Sequence, residues 1–291
     1  MQYVDVQGAR IPALGLGTWQ LTGPRCRDVV QQALQMGYRH IDTAQSYANE
    51  GEVGAGIRLS GIERDDVWLT TKVSLEHMRH DDVIRSTRDS LRRLAVDYVD
   101  LLLIHWPSRE IPVEQTLSAL FELQNEGVAH HIGVSNFTSS MVEAALGVAP
   151  LLAIQVECHP FLPQHELVSF ASDRDLLLTA YSPLARGEVT RDPVLRSIGA
   201  RHEKGPGQVA LRWLLQRPNI AAIPKASSLE HLRENLDVFD FELDETELVR
   251  IEELGRVPRR LLDPPYAPVW ESPISASSTN DRRTGGAAEA S

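Results

Sequence analysis

The sequence predicts an α/β fold, a (β/α)8 TIM barrel with an N-terminal β-hairpin and two extra helices. Three observations lead there. Eight apolar or β-branched runs alternate with stretches of helical spacing through most of the 291 residues. Several runs, VDLLLIH and LLAIQVE among them, are apolar without alternation, as in parallel strands covered on both faces. The length, with 42% hydrophobic residues, suits one large barrel core.

Taken in order, residues 3–7 and 9–11 are expected to form a hairpin that closes the barrel bottom. Strands are expected at 13–17, 38–42, 67–72, 98–105, 130–135, 151–157, 176–181 and 220–224. Helical spacing falls at about 25–36, 50–60, 80–94, 112–126, 138–147, 164–173, 191–216 and 228–236. The stretch 191–216 is long enough for two helices, and 244–254 reads as a further helix outside the barrel. Thr138 and Ser228 are placed as N-caps. Gly37 and Gly127 stand where a helix ends on a left-handed residue. Residues 1–262 thus form one barrel, followed by a tail, 263–291, that partly covers it and is then disordered. Segment 263–273 holds four prolines with Tyr266 and Trp270, which either fold over one barrel mouth or patch the outer helices. Residues 274–291 are polar and small, too poor in bulky groups to order themselves.

The net charge of −11 argues against a nucleic-acid surface or an anionic-membrane anchor. Two distant cysteines, Cys26 and Cys158, make neither a disulfide framework nor a CxxC site. The opening MQYVDVQGARIPALGLG lacks the basic and apolar regions of a signal peptide, and no stretch reaches membrane-spanning length. The expected location is cytoplasmic.

Chemistry-bearing residues gather at strand ends, where a barrel of this type places its active site. Asp42 ends the second expected strand, Lys72 the third and His105 the fourth, and Tyr47 lies in the loop after Asp42. Singly, each has an ordinary structural role; together they can protonate a carbonyl oxygen while a hydride attacks its carbon. A phenol has a reference pKa of about 10, which a neighbouring ammonium is expected to lower. Asp42 would hold Lys72, and His105 would orient the substrate oxygen. The histidines show no metal-ligand spacing; His130 and His131 are adjacent on a strand and point to opposite faces.

The segments GYRHIDTAQSYANEGEVG (37–54), LRRLAVDYVDLLLIHWP (91–107) and IPKASSLEHLRENLDVF (223–239) resemble the signatures of the aldo-keto reductases. IPALGLGTWQL, LLLIHWPS and IGVSNFT are similar to the bacterial branch of 2,5-diketo-gluconate and methylglyoxal reductases. The resemblance spans roughly residues 5–260 and implies the same barrel, with NADPH bound without a Rossmann domain. Accordingly, GLG at 15–17 lacks the third glycine of a dinucleotide fingerprint. The resemblance makes Tyr47 the general acid, Lys72 the group that depresses its pKa, Asp42 the partner of Lys72, and His105 the carbonyl hydrogen-bonder. It places Ser135, Asn136 and Gln155 on the nicotinamide carboxamide and stacks the ring on Tyr181. Ser182 and Leu184 fall in the pyrophosphate loop, and Thr18 and Trp19 beside the cofactor. Trp19 and Trp106 also wall the substrate pocket with Tyr47 and His105.

The adenosine end departs from the family pattern. Lys225 is present, but Ala226 and His231 replace a hydroxyl residue and an arginine. Ser227, Ser228 and Arg233 are placed to compensate in part, and Glu234 and Asn235 match adenine-contacting positions. NADPH is the implied cofactor, with NADH as a weaker or dual one. Ser74 stands where the family often has a bulky aromatic, implying a roomier pocket for small dicarbonyl or keto-sugar substrates. The expected partner is a small carbonyl compound, and the chain is expected to be monomeric. Two other readings stay open: a Schiff-base aldolase using Lys72, and a non-catalytic NADPH-binding regulatory barrel.

Overall fold

The computed structural model describes residues 1–270; the expected disordered stretch, 274–291, lies outside them. Strands β1 (Tyr3–Val6) and β2 (Ala9–Pro12) pair antiparallel as the expected hairpin. They turn through Gln7 and Gly8, both at positive φ, as a two-residue hairpin turn of the favoured twist requires. The barrel strands follow as β3 (Leu16–Gly17), β4 (His40–Asp42), β5 (Trp68–Val73), β6 (Val99–Ile104) and β7 (Ala129–Ser135). They continue as β8 (Ala153–Glu157), β9 (Leu177–Tyr181) and β10 (Ile220–Ala222). All neighbours are parallel and in chain order. Leu14 bridges Ala222, and the Gly15 and Gly17 amides donate to the carbonyls of Ala222 and Pro224 at 2.9 and 3.2 Å, so the first strand meets the last.

Helices α1 (Gly23–Gln35), α2 (Glu50–Ser60), α3 (His80–Leu94), α4 (Val113–Asn125), α5 (Ser139–Leu146) and α6 (His165–Asp173) return the chain between strands. The long stretch after β9 splits into α7 (Pro193–Arg201) and α8 (Pro206–Leu215). Glu203 at φ 57° breaks it, and a proline at the first turn starts each half. Helix α9 (Leu229–Leu236) completes the eighth unit, and α10 (Glu245–Glu252) is the further helix. Thr138 and Ser228 cap α5 and α9 as expected, accepting from the amides of Met141 and His231. The first strand is shorter than expected. Residues 13–15 are still leaving the hairpin and pair through isolated contacts rather than a ladder.

Strand alternation layers the barrel interior. Along β6, Leu101 and Leu103 face inward; along β8, Ala153 then Gln155; along β9, Leu177 and then Tyr181. The lower members form one apolar cluster with Val6 and Ile11 of the hairpin, which plugs the bottom. Each leucine there is almost fully buried and contributes about 1.5–3 kcal/mol. Gly133 on β7 has no room for a side chain: an added Cβ would lie 2.4 Å from the Ala153 carbonyl oxygen and 2.8 Å from Leu103. The upper members are polar and open toward the strand C-termini. Among the described residues no helix is long and apolar enough to cross a membrane, and no group of three His, Cys, Asp or Glu could hold a metal ion.

Candidate active site

Parallel pairing in register sets the upper layer. Asp42 lies opposite Thr70 and Gly17, and Lys72 opposite Leu103, so two adjacent strands deliver the carboxylate and the ammonium to one point. Lys72 Nζ donates to Asp42 Oδ1 at 2.5 Å and to the Thr43 carbonyl at 2.8 Å, with neither charged side chain more than 2% exposed. Asp42 Oδ2 accepts from Gln155 Nε2 at 2.8 Å. The Tyr47 hydroxyl accepts from Lys72 Nζ at 3.5 Å, in a short 3-10 turn (Gln45–Tyr47) that ends on Ala48 in the left-handed region. The rings of Tyr47 and His105 meet edge to face at 5.6 Å.

The protonation states follow from this geometry. Burial first, and the Asp42 carboxylate second, push the Tyr47 pKa well above the ordinary phenol value. The expected depression by Lys72 is therefore corrected. The ammonium is already committed to Asp42 and Thr43 at shorter range, and the phenol is held protonated. Burial lowers the Lys72 pKa, opposed by Asp42. Burial and the charge of Lys72 push His105 down to about 3, so its imidazole is neutral at physiological pH.

A cavity of about 350 Å³ opens above these groups. Asp42, Tyr47 and His105 line it with the two expected tryptophans, Trp19 and Trp106. Ser135, Asn136, Gln155, Tyr181, Ser182 and Lys225 complete the expected side of its wall. The floor is tied together: Asn136 Nδ2 donates to the His105 carbonyl and to Ser135 Oγ, and Tyr181 donates to Asn136 Oδ1 at 2.8 Å. Asn136 (φ 64°) and Ser182 (φ 49°) both adopt left-handed backbone, a local strain common at binding sites. Thr18 sits below, its hydroxyl donating to the Asp42 carbonyl at 2.9 Å. Leu184 is outside the cavity lining and precedes the turn Ala185–Arg191.

The remaining expected residues stand apart, along α9. Ser227 accepts through its carbonyl from Arg25 at 2.5 Å, and Ser228 is the helix cap. His231 and Glu234 are exposed; Asn235 is buried and faces the Tyr38 hydroxyl. The structure also brings in groups that the sequence did not assign to the site. Ser46 Oγ lies 3.2 Å from His105 Nδ1. The Arg186 guanidinium sits 5.2 Å from the Trp19 ring centre, across the groove. Leu262 and Tyr266 close the far wall, Tyr266 meeting Trp106 edge to face at 5.4 Å. Ser46, beside Tyr47 in the same tight turn, had a local signal; Arg186 and Leu262 had none, and for Tyr266 the structure selects the barrel mouth from the two expected placements.

Residues 13–256 match the model of the aldo/keto reductase family. A methylglyoxal reductase of Escherichia coli O157:H7 is 38% identical over 90% of this chain and 99% of its own length. An aldo-keto reductase of Mycolicibacterium smegmatis is 40% identical over 88% and 94%. A crystal structure provisionally designated 2,5-diketo-D-gluconic acid reductase B superposes with a TM-score of 0.92 at 44% identity, covering 94% of this chain and 98% of that one. With the barrel and the residues at its mouth, these matches place the chain in the aldo/keto reductase family, as an oxidoreductase enzyme.

Proposed function

We propose that the protein reduces aldehydes and ketones with NADPH, taking small dicarbonyl or keto-sugar substrates, with Tyr47 as general acid. One observation carries this reading: Lys72, locked on Asp42, also reaches the Tyr47 hydroxyl at the base of a cavity that His105 borders. Aldo-keto reductases use nicotinamide cofactors, generally NADPH. The residues present fit such a group. The Tyr181 ring borders the cavity beside the polar set Ser135, Asn136 and Gln155, and Lys225 stands at its edge. His231 in place of an arginine supports some use of NADH.

When bound, the reduced nicotinamide supplies a hydride to the carbonyl carbon. The protonated Tyr47 delivers the proton to the carbonyl oxygen. Lys72 stabilises the phenolate left behind, and Asp42 with Gln155 keeps the ammonium from turning away. Neutral His105 hydrogen-bonds the carbonyl oxygen and orients it without competing as an acid. Ser46 and Ser74 at the wall leave room for oxygenated substrates, in line with the names of the methylglyoxal and diketogluconic acid reductases.

A Schiff-base role for Lys72 is disfavoured. Its side chain is fully buried and ion-paired, so the amine cannot reach a carbonyl carbon in the cavity. On the same reading the two buried free thiols suit a reducing cytoplasm, and the chain acts as a monomer. The test is turnover at 340 nm of methylglyoxal, 2,5-diketogluconate and an aromatic aldehyde with NADPH and with NADH. Cofactor binding without turnover of any of them would favour the regulatory barrel.

A further inference from the structure

We infer that Glu157 is a positioning residue that sets carbonyl selectivity by seating the C-terminal segment as the far wall of the substrate cavity. The inference rests on the reductase reading and deepens it.

Glu157 is the last residue of β8, two beyond Gln155 on the same inward-facing side. It is fully buried, yet it takes no part in the Asp42–Lys72–Tyr47 cluster. Its carboxylate turns instead toward a part of the chain more than a hundred residues away. Oε1 accepts the Leu261 amide at 2.7 Å and Oε2 the Leu262 amide at 2.9 Å. His159, also fully buried, brings Nε2 to 2.9 Å from Oε1, and its Nδ1 has no partner among the described residues. Gln164 donates to the Glu157 carbonyl at 2.9 Å, fixing the backbone from which the side chain projects. A carboxylate with two consecutive amides is a charge-assisted clamp on main chain, so it holds a position whatever side chains the segment carries.

That position matters because of what the clamped stretch presents. Leu262, whose amide is held, lines the cavity, and so does Tyr266 four residues on. Tyr266 is braced on Trp106, and Arg109 Nη2 reaches the Ala267 carbonyl at 2.5 Å, anchoring the other end of the span. Neither wall residue lies in a helix or strand, so the clamp and the Arg109 contact substitute for a ladder. A small dicarbonyl can react at Tyr47 with little contact to this wall; a bulky carbonyl must pack against it. Glu157 therefore acts on substrate discrimination through Leu262 and Tyr266, not on the proton or the hydride.

The test compares E157Q, Y266A and the double variant by kcat/KM for an aromatic aldehyde against methylglyoxal. E157Q keeps the shape but opposes an amide N–H to a backbone N–H. The aromatic-to-methylglyoxal ratio is expected to fall about ten-fold in either single variant, the size of a lost apolar contact, through KM rather than kcat. Because both act through one wall, the double variant should fall no further than the lower single. Hydrogen exchange at the Leu261 and Leu262 amides, which needs no activity, should speed up in E157Q and stay slow in Y266A. Where E157Q does not fold, E157D withdraws the same charge by one methylene and serves in its place. Equal loss on both substrates, multiplying ratios in the double variant, or unchanged amide exchange would each overturn the assignment. A wild-type protein inactive on every carbonyl, with exchange slowed by Glu157 as described, would instead refute the reductase reading and leave the clamp standing.

Discussion

Replacing Lys72 with methionine separates what the buried ion pair does for the fold from what it does for the reaction. Lys72 is wholly buried, with Nζ contacts of 2.5 Å to Asp42 and 2.8 Å to the Thr43 carbonyl. Its loss leaves the Asp42 carboxylate buried with Gln155 still donating to one oxygen. Removing one member of a buried pair costs about 3–5 kcal/mol, because the other charge stays desolvated. For a domain of this size that corresponds to a fall of about 5–8 °C in Tm. The variant D42N/K72M removes both charges and should recover most of that loss, since a buried pair contributes little net stability against neutral groups of like shape. Activity should not recover. Both variants lack the cation beneath Tyr47 and should lose about 10²–10⁴ in kcat, the usual contribution of a positioned proton donor. Urea unfolding at 25 °C measures the first effect and initial rates at 340 nm the second. If the double variant is no more stable than K72M, the pair is not a closed electrostatic unit. If it reduces methylglyoxal near the wild-type rate, Lys72 has no part in the chemistry.

Tyr47→Phe should lower kcat by about 10²–10⁴ while cofactor affinity, read by fluorescence quenching, stays within about two-fold; retention of most of the rate would remove Tyr47 from the acid role. His105 is pushed down to about 3 by burial, and burial also lowers His40, so the folded state refuses protons the unfolded chain binds near 6.5. Stability from these groups is complete above that value and is lost as pH falls toward their folded pKa, by up to about 1.4 kcal/mol per pH unit for each. Urea midpoints at pH 7.5 and 5 should show the decline, with a shallower slope in H105Q; an equal slope would assign the proton uptake elsewhere. His231→Arg should tighten NADPH about five-fold and NADH far less, the scale of an exposed guanidinium–phosphate pair. Titration with both cofactors checks this, and equal tightening would place His231 away from the 2′-phosphate.

The strand ends were legible because parallel strands covered on both faces read as unbroken apolar runs, so the residue that ends a run marks the barrel mouth. Asp42, Lys72 and His105 were found that way, and Tyr47 by its short distance from Asp42. Glu157 also ends such a run, but its partners, Leu261 and Leu262, offer only backbone amides, which no side-chain pattern reveals. Gln155 was read as a nicotinamide contact; it lines the cavity, and its amide also supports Asp42, 113 residues away, a partner that sequence order does not reveal. The direction of the Tyr47 shift was missed for a related reason. Proximity to a lysine was visible in sequence order, but the prior commitment of that lysine to Asp42 and Thr43 is a matter of distance. Helix starts were legible to within a few residues where a capping side chain marks them, as at α5 and α9, whereas the break between α7 and α8 was not located within 191–216.

The meeting of the first barrel strand with the last has a consequence for how copies of this chain behave at high concentration. An open parallel sheet ends in two rows of unpaired main-chain N–H and C=O groups, ready to template another strand. Here the groups of residues 13–17 are turned onto Ala222 and Pro224, so the sheet presents no such row. Strand-by-strand growth from the barrel sheet is thereby denied its starting template in the folded state. For this sheet it would first require the 13–17 and 220–224 segments to part, so the seam guards the barrel edge that an open sheet would offer.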